Sequence, residues 1–170
     1  KWTSGTKKML RRLKSAVQKA SNHGASSLQG RRPTQEDRYH ADAARAFYAV
    51  HDAHGGPRPA AYAAQHMHNH MRASPAWKVR NTSAALTDAF EATERDFLAL
   101  AEREGLSDGT TALVALVSLA ESRLTVGHVG DSRGVISRGG TAVAITQDHK
   151  PELGSERRRI ESLGGFVSHV

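Results

Sequence analysis

The chain has no cysteine, which excludes disulfides, thiolate metal sites and a cysteine nucleophile. It also lacks any apolar run near the roughly 18 residues that a membrane span requires. Its first residues are too basic and too broken in hydrophobicity for a secretory signal. The expectation is a soluble, intracellular protein, cytoplasmic and/or nuclear. Aromatics are sparse at 5% of the chain. The chain begins at Lys1 rather than Met, so a fragment is expected.

Acidic residues are missing from the first twenty positions, where Lys1, Lys7, Lys8, Arg11, Arg12, Lys14 and Lys19 supply seven cations. Removing them from the 24 Lys and Arg leaves 17, against 17 Asp and Glu, so the net charge of +7 belongs to an arm. Met9 or Leu10, Leu13 and Val17 recur there at helical spacing. Such an arm could bind an acidic partner, an anionic membrane, a nucleic acid or a calmodulin-like groove. A solvated arm docking a few apolar residues on the domain is the simpler reading. The absence of aromatics among its clustered cations argues against nucleic acid. Residues 1–23 are read as this basic helix or arm, and 24–170 as one domain. At 38% hydrophobic, 170 residues can bury one core.

Past Ser21-Asn22-His23-Gly24 the pattern predicts a short strand over Ala25–Gln29 and a turn over Gly30–Pro33. Strands follow over Arg38–Asp42 and Ala46–Asp52. An Ala-rich helix is expected over Pro57–Met71. A second is expected over Ser83–Arg103, capped by Thr82 or Ser83 and stopped by Gly105. Further strands are expected over Thr111–Leu119, Leu124–Val129, Gly134–Ser137 and Ala142–Ile145, then a helix over Glu152–Leu163. Gly164-Gly165-Phe166-Val167 reads as a helix stop leading to a strand. Strands, two helices and a meander give an α+β layered domain rather than a parallel βαβ array.

The apolar run Ala46–Ala49 leads into Val50-His51-Asp52-Ala53-His54-Gly55-Gly56, a strand that delivers polar groups to its exposed end. Glu36 and Asp37 lie one hairpin upstream, and Asp131 sits in a later glycine-flanked turn. Carboxylates of this kind suit Mg²⁺ or Mn²⁺ better than zinc or copper. Two such ions can acidify a water and neutralise a phosphate. Arg32 could clamp that phosphate with its planar fork, and His54 could protonate a departing alkoxide. His66 and His70 share a helix face at i, i+4, a spacing that permits a transition metal. Met67 stands where a metalloprotease needs glutamate, so a polar helix surface is the better reading. Gly109-Thr110-Thr111 lacks the Gly-Lys-Ser/Thr of a nucleotide cradle and reads as a turn entering a strand.

Six stretches taken in order form a pattern: Arg32–Arg38, Val50–Gly56, Asp108–Ala112, Val129–Arg133, Asp148–Pro151, and Arg159 to Val167. Together they resemble the metal-dependent Ser/Thr protein phosphatases of the PPM (type 2C) family, over about Ser27 to the last residue. Tyr62–His68 and Ser162–His169 look closest to the branch that acts on calmodulin-dependent kinases and p21-activated kinases. The resemblance implies an α-β-β-α sandwich of two antiparallel sheets flanked by helices, with a binuclear Mg²⁺/Mn²⁺ centre at one end. By position, Asp52 resembles the carboxylate bridging both metals and Glu36 a further ligand, with Asp37 beside it. Ala53 stands where the family has Gly and would offer its carbonyl. Asp131 matches a residue near a third, weaker metal position, Arg32 the phosphate-binding Arg, and His54 the proposed general acid.

The implied reaction is hydrolysis of phosphoserine or phosphothreonine in proteins by metal-activated water, without a phosphoenzyme. The implied partner is a phosphorylated protein, a protein kinase among the options. The resemblance further implies a domain truncated at its C-terminus, with additional Asp ligands and strands beyond Val170. Two readings follow. One is the N-terminal portion of an active phosphatase. The other is a truncated, catalytically inactive phosphatase-like binding module.

Overall fold

A computed structural model describes residues 23–168; the basic arm, except His23, lies outside the described residues. Strands β1 (Arg38–Asp42) and β2 (Phe47–His51) form a hairpin. The two-residue strand β3 (Ala53–His54) follows. Helices α1 (Arg58–Ala73), α2 (Pro75–Lys78) and α3 (Thr82–Glu104) come next. The chain continues through β4 (Gly109–Thr110), β5 (Ala112–Ser118), β6 (Arg123–Val129), β7 (Val135–Arg138) and β8 (Thr141–Ala144) to α4 (Gly154–Ser162).

One antiparallel sheet runs β1-β2-β5-β6, and β3-β4 and β7-β8 form two antiparallel ribbons. Helices and antiparallel sheets are as expected. Of the two expected sheets, the described residues build one of four strands, with its helical layer and two ribbons. Alternation assigns the faces. Phe47, Ala49 and His51 on β2 and Ala112, Val114 and Leu116 on β5 are buried. They meet Ala63, Met67 and Met71 of α1 and Ala85, Leu86 and Ala89 of α3. Phe47, Met71 and Val114 are each at most 1% exposed, and burial of each contributes about 1.5–3 kcal/mol. On the other face Tyr39, Val50 and Leu124 keep 50%, 46% and 42% of their surface.

Three local expectations are corrected. Residues Ala25–Gln29 form no strand; the Gln29 side chain instead donates to the Arg32 and Pro33 carbonyls, closing the turn that follows. The cap of α3 is Asn81, whose side chain accepts from the Ala84 amide, one residue earlier than sequence alone indicates. Residues 165–168 are irregular rather than a strand. The expected stop at Gly105 is present, with φ 65 in the left-handed region.

Candidate metal and phosphate site

The hairpin geometry builds the site. Arg38 pairs with His51 across β1 and β2, so Glu36-Asp37 before β1 and Asp52 after β2 leave the sheet at the same end. Arg38 steadies the approach by donating to the Gln35 and Asp37 carbonyls at 2.9 and 2.8 Å. A cavity of about 300 Å³ opens there, lined among others by Arg32, Glu36, Asp37, Asp52 and Ala53. Five residues singled out from the sequence therefore share one pocket.

Asp52 is held by its backbone. Its carbonyl accepts from the Thr111 amide at 2.8 Å and the Thr110 hydroxyl at 3.1 Å, and its amide donates to Thr111 Oγ1 at 3.1 Å. Thr111 Oγ1 also lies 2.6 Å from Ser132 Oγ, which ties the β6–β7 turn to the same point. Partial burial pushes the Asp52 carboxyl above the usual carboxylate range. Asp37 and Asp131 add to the rise, and His54 opposes it. Repulsion among like charges at this end of the sheet favours cations near it. Asp131 also faces Lys150 at 3.5 Å, and Glu36 accepts from Thr34 Oγ1 at 3.0 Å. Among the described residues no three His, Cys, Asp or Glu side chains converge tightly enough to hold a metal ion. The oxygen-only donor set fits Mg²⁺ or Mn²⁺ in kind, with an incomplete set of ligands.

His54 stands apart from the other five. It lines a neighbouring groove of about 410 Å³ along α1 and α3 rather than the carboxylate pocket, while remaining near enough to act on Asp52 electrostatically. Its ring packs on Gly109, where an added Cβ would meet Nε2 at 2.5 Å. Ala53 lies in β3 paired with Thr110, and its φ is not positive. The backbone at this position therefore makes no demand for glycine.

Several positioning residues carry little signal as isolated letters. Asp108 is 8% exposed, and its Oδ2 accepts from Arg58 Nε at 2.9 Å. Burial opposes its ionisation, yet the Arg58 hydrogen bond and charge hold its pKa below the usual value. Gly56 has φ 147, and a Cβ there would strike Asp108 Oδ2 at 2.7 Å; only glycine lets the turn after His54 close on this carboxylate. Arg133 grips Asp148 with two hydrogen bonds of 3.0 and 2.7 Å, joining two of the six stretches. His51 is 1% exposed, and neither ring nitrogen has a hydrogen-bond partner among the described residues. Burial pushes its pKa down to about 4.

The histidines of α1 form no metal site among the described residues. His66 and His70 are half-buried, with ring centroids 6.5 Å apart, and His70 reaches Asp96 of α3 at 3.6 Å. His68 stacks on His40 of β1 at 4.3 Å.

Residues 19–170 match the family model described as protein phosphatase 2C. This chain belongs to the protein phosphatase 2C family. It is 39% identical over 152 residues to the probable protein phosphatase 2C 59 of Arabidopsis thaliana, covering 86% of this chain and 48% of that protein. It is 44% identical over 124 residues to protein phosphatase 1F of Mus musculus, covering 73% and 27% respectively. Among solved structures, a C. elegans sex determining protein superposes with a TM-score of 0.73 at 23% identity, over 85% of this chain and 38% of that one. That likeness supports the fold. The chain spans about half or less of the length of these relatives.

Proposed function

We propose that residues 24–170 of this chain are the N-terminal portion of a protein phosphatase domain whose whole hydrolyses phosphoserine or phosphothreonine in proteins. The observation that carries the reading is the pocket joining Asp52, Asp37 and Glu36 to Arg32. Asp52, Asp37, Glu36 and the Ala53 carbonyl would hold the ions, with Asp131 nearby at a weaker position. Mg²⁺ or Mn²⁺, when bound, would supply the Lewis acidity that activates water and neutralises phosphate. Arg32 would orient the phosphate through its fork. His54 would deliver a proton to the leaving oxygen after turning from the groove of α1 and α3 toward the pocket. Tyr62–His68 and Ser162–His169 support the branch acting on calmodulin-dependent and p21-activated kinases, which makes a phosphorylated kinase the proposed substrate. Such a substrate implies an intracellular setting.

A second reading has its own support. With no convergent group of three ligands among the described residues, this stretch alone would bind phosphoprotein without turnover. One assay separates the two: hydrolysis of a phosphothreonine peptide by this chain with Mn²⁺. Turnover that disappears in Asp52→Ala and in chelator supports the first. Binding without turnover supports the second. Turnover indifferent to Asp52 would sink both.

A further inference from the structure

A second cavity, of about 480 Å³, lies at the end of the sheet remote from Asp52. Arg45 precedes β2 and Asp52 follows it, so the five-residue strand separates them by roughly 17 Å at about 3.3 Å per residue. The cavity is lined by Arg45 from the β1–β2 turn, Trp77 and Lys78 of α2, Arg80, and Leu116 and Val117 of β5. Its size falls in the range of binding pockets, about 300–1,000 Å³.

Charge is in excess there. Arg45 pairs with Asp42, and the lining residue Glu121 pairs with Arg123. Among the described residues Lys78 and Arg80 take part in no ion pair. With those partners counted, four cations face two carboxylates. Arg45 also retains donors, since a guanidinium has five and one carboxylate occupies at most two. Arg80 holds φ 59, a conformation a glycine adopts freely and a long side chain does not. A cation is thus kept at the cavity where a turn alone would favour another residue.

The apolar part narrows the ligand. Trp77 packs partly against the core, while Val117 keeps 36% of its surface. A free phosphate would have no use for them. Tryptophan and arginine around an apolar patch are instead the composition that anchors protein partners.

We propose that this cavity binds an acidic peptide segment with a single apolar anchor, presented by a partner protein. If the proposed phosphatase function holds, that partner is the phosphoprotein substrate, tethered away from the phosphate it loses. The apolar side chain enters beside Trp77, Leu116 and Val117, and the flanking carboxylates meet Lys78, Arg80 and the spare donors of Arg45.

Fluorescence anisotropy on the full chain tests this, using a labelled peptide of four glutamates around one leucine. Binding is expected to weaken at least tenfold in the Lys78→Ala/Arg80→Gly double variant, at a melting temperature no lower than the parent's, and with leucine replaced by serine. Equal binding by the double variant, as the cationic arm of residues 1–20 would give, overturns the proposal. So does competition by inorganic phosphate or ATP with the leucine dispensable. A variant that melts early is replaced by Val117→Glu, for which the same tenfold loss is required. The readout needs no hydrolysis, so the peptide result stands or falls independently of whether the Asp52 pocket turns over a phosphopeptide.

Discussion

The two ends of the four-stranded sheet differ in the sign of their excess charge. Where β2 ends, partial burial, with Asp37 and Asp131 nearby, holds the Asp52 carboxyl above its usual pKa. Where β2 begins, Arg45, Lys78 and Arg80 surround a cavity floored in part by apolar side chains. Between them lies a core with Phe47 and Val114 at 1% and 0% exposure. The same strands thus hold two excesses of charge apart. Local repulsion tolerated at the first end gives it a use for cations, while the surplus of cations at the second suits anions.

The largest expected effect is at the acidic end. Asp52→Asn should weaken Mn²⁺ binding by at least about tenfold in calorimetry. In chelator it should raise the melting temperature, because it removes repulsion with Asp37 and Asp131. Lys78→Ala/Arg80→Gly should leave Mn²⁺ binding unchanged; a shared loss would erase the distinction between the ends.

The next effect concerns the strand that links them. His51 titrates at about 4 in the fold, against about 6.5 unfolded. The unfolded chain therefore binds the extra proton first, and stability is complete above pH 6.5 and falls as pH drops toward 4. The loss is on the order of 3 kcal/mol. Urea unfolding at stepped pH should show it, and His51→Phe should flatten that part of the profile.

A smaller change is expected where the acidic end meets α1. Arg58→Ala leaves buried Asp108 without its partner, at a cost of about 1–3 kcal/mol in thermal or urea unfolding. The mildest is at the basic end. Arg80→Gly relieves a left-handed backbone and should stabilise by up to about 1 kcal/mol, while weakening the acidic peptide. Destabilisation instead would mean that Arg80 is retained for the fold and not for a ligand.

Much of this was readable from the sequence, for a physical reason. Strands β1, β2, β5 and β6 and helices α1 and α3 follow the apolar periods, because burial on one face sets both the period and the element. The hairpin then forces Glu36-Asp37 and Asp52 to one end, so the pocket follows from pairing two strands. The strand expected at Ala25–Gln29 failed because β pattern alone supplies no partner for a ladder. The Asn81 cap was displaced by one residue since Asn, Thr and Ser in succession compete for the same amides. Thr111 and Asp108 were quoted only as parts of a pattern. Their work, fixing the Asp52 backbone and the Gly56 turn, depends on neighbours fifty or more residues away.

By itself the sequence determined the chemistry available: oxygen ligands for a hard cation, an arginine for phosphate, no thiols, and a basic arm separate from a neutral domain. These are properties of residue types and of neighbours along the chain. Only the tertiary structure decided which groups meet. It placed Arg32 in one pocket with Asp52, turned His54 into the adjacent groove, and gave Ala53 a backbone conformation that does not require glycine. It also gathered Arg45, Lys78 and Arg80 from two separate stretches around one cavity. Electrostatics and sterics act through space, and that distance is set by the fold rather than by spacing in the chain.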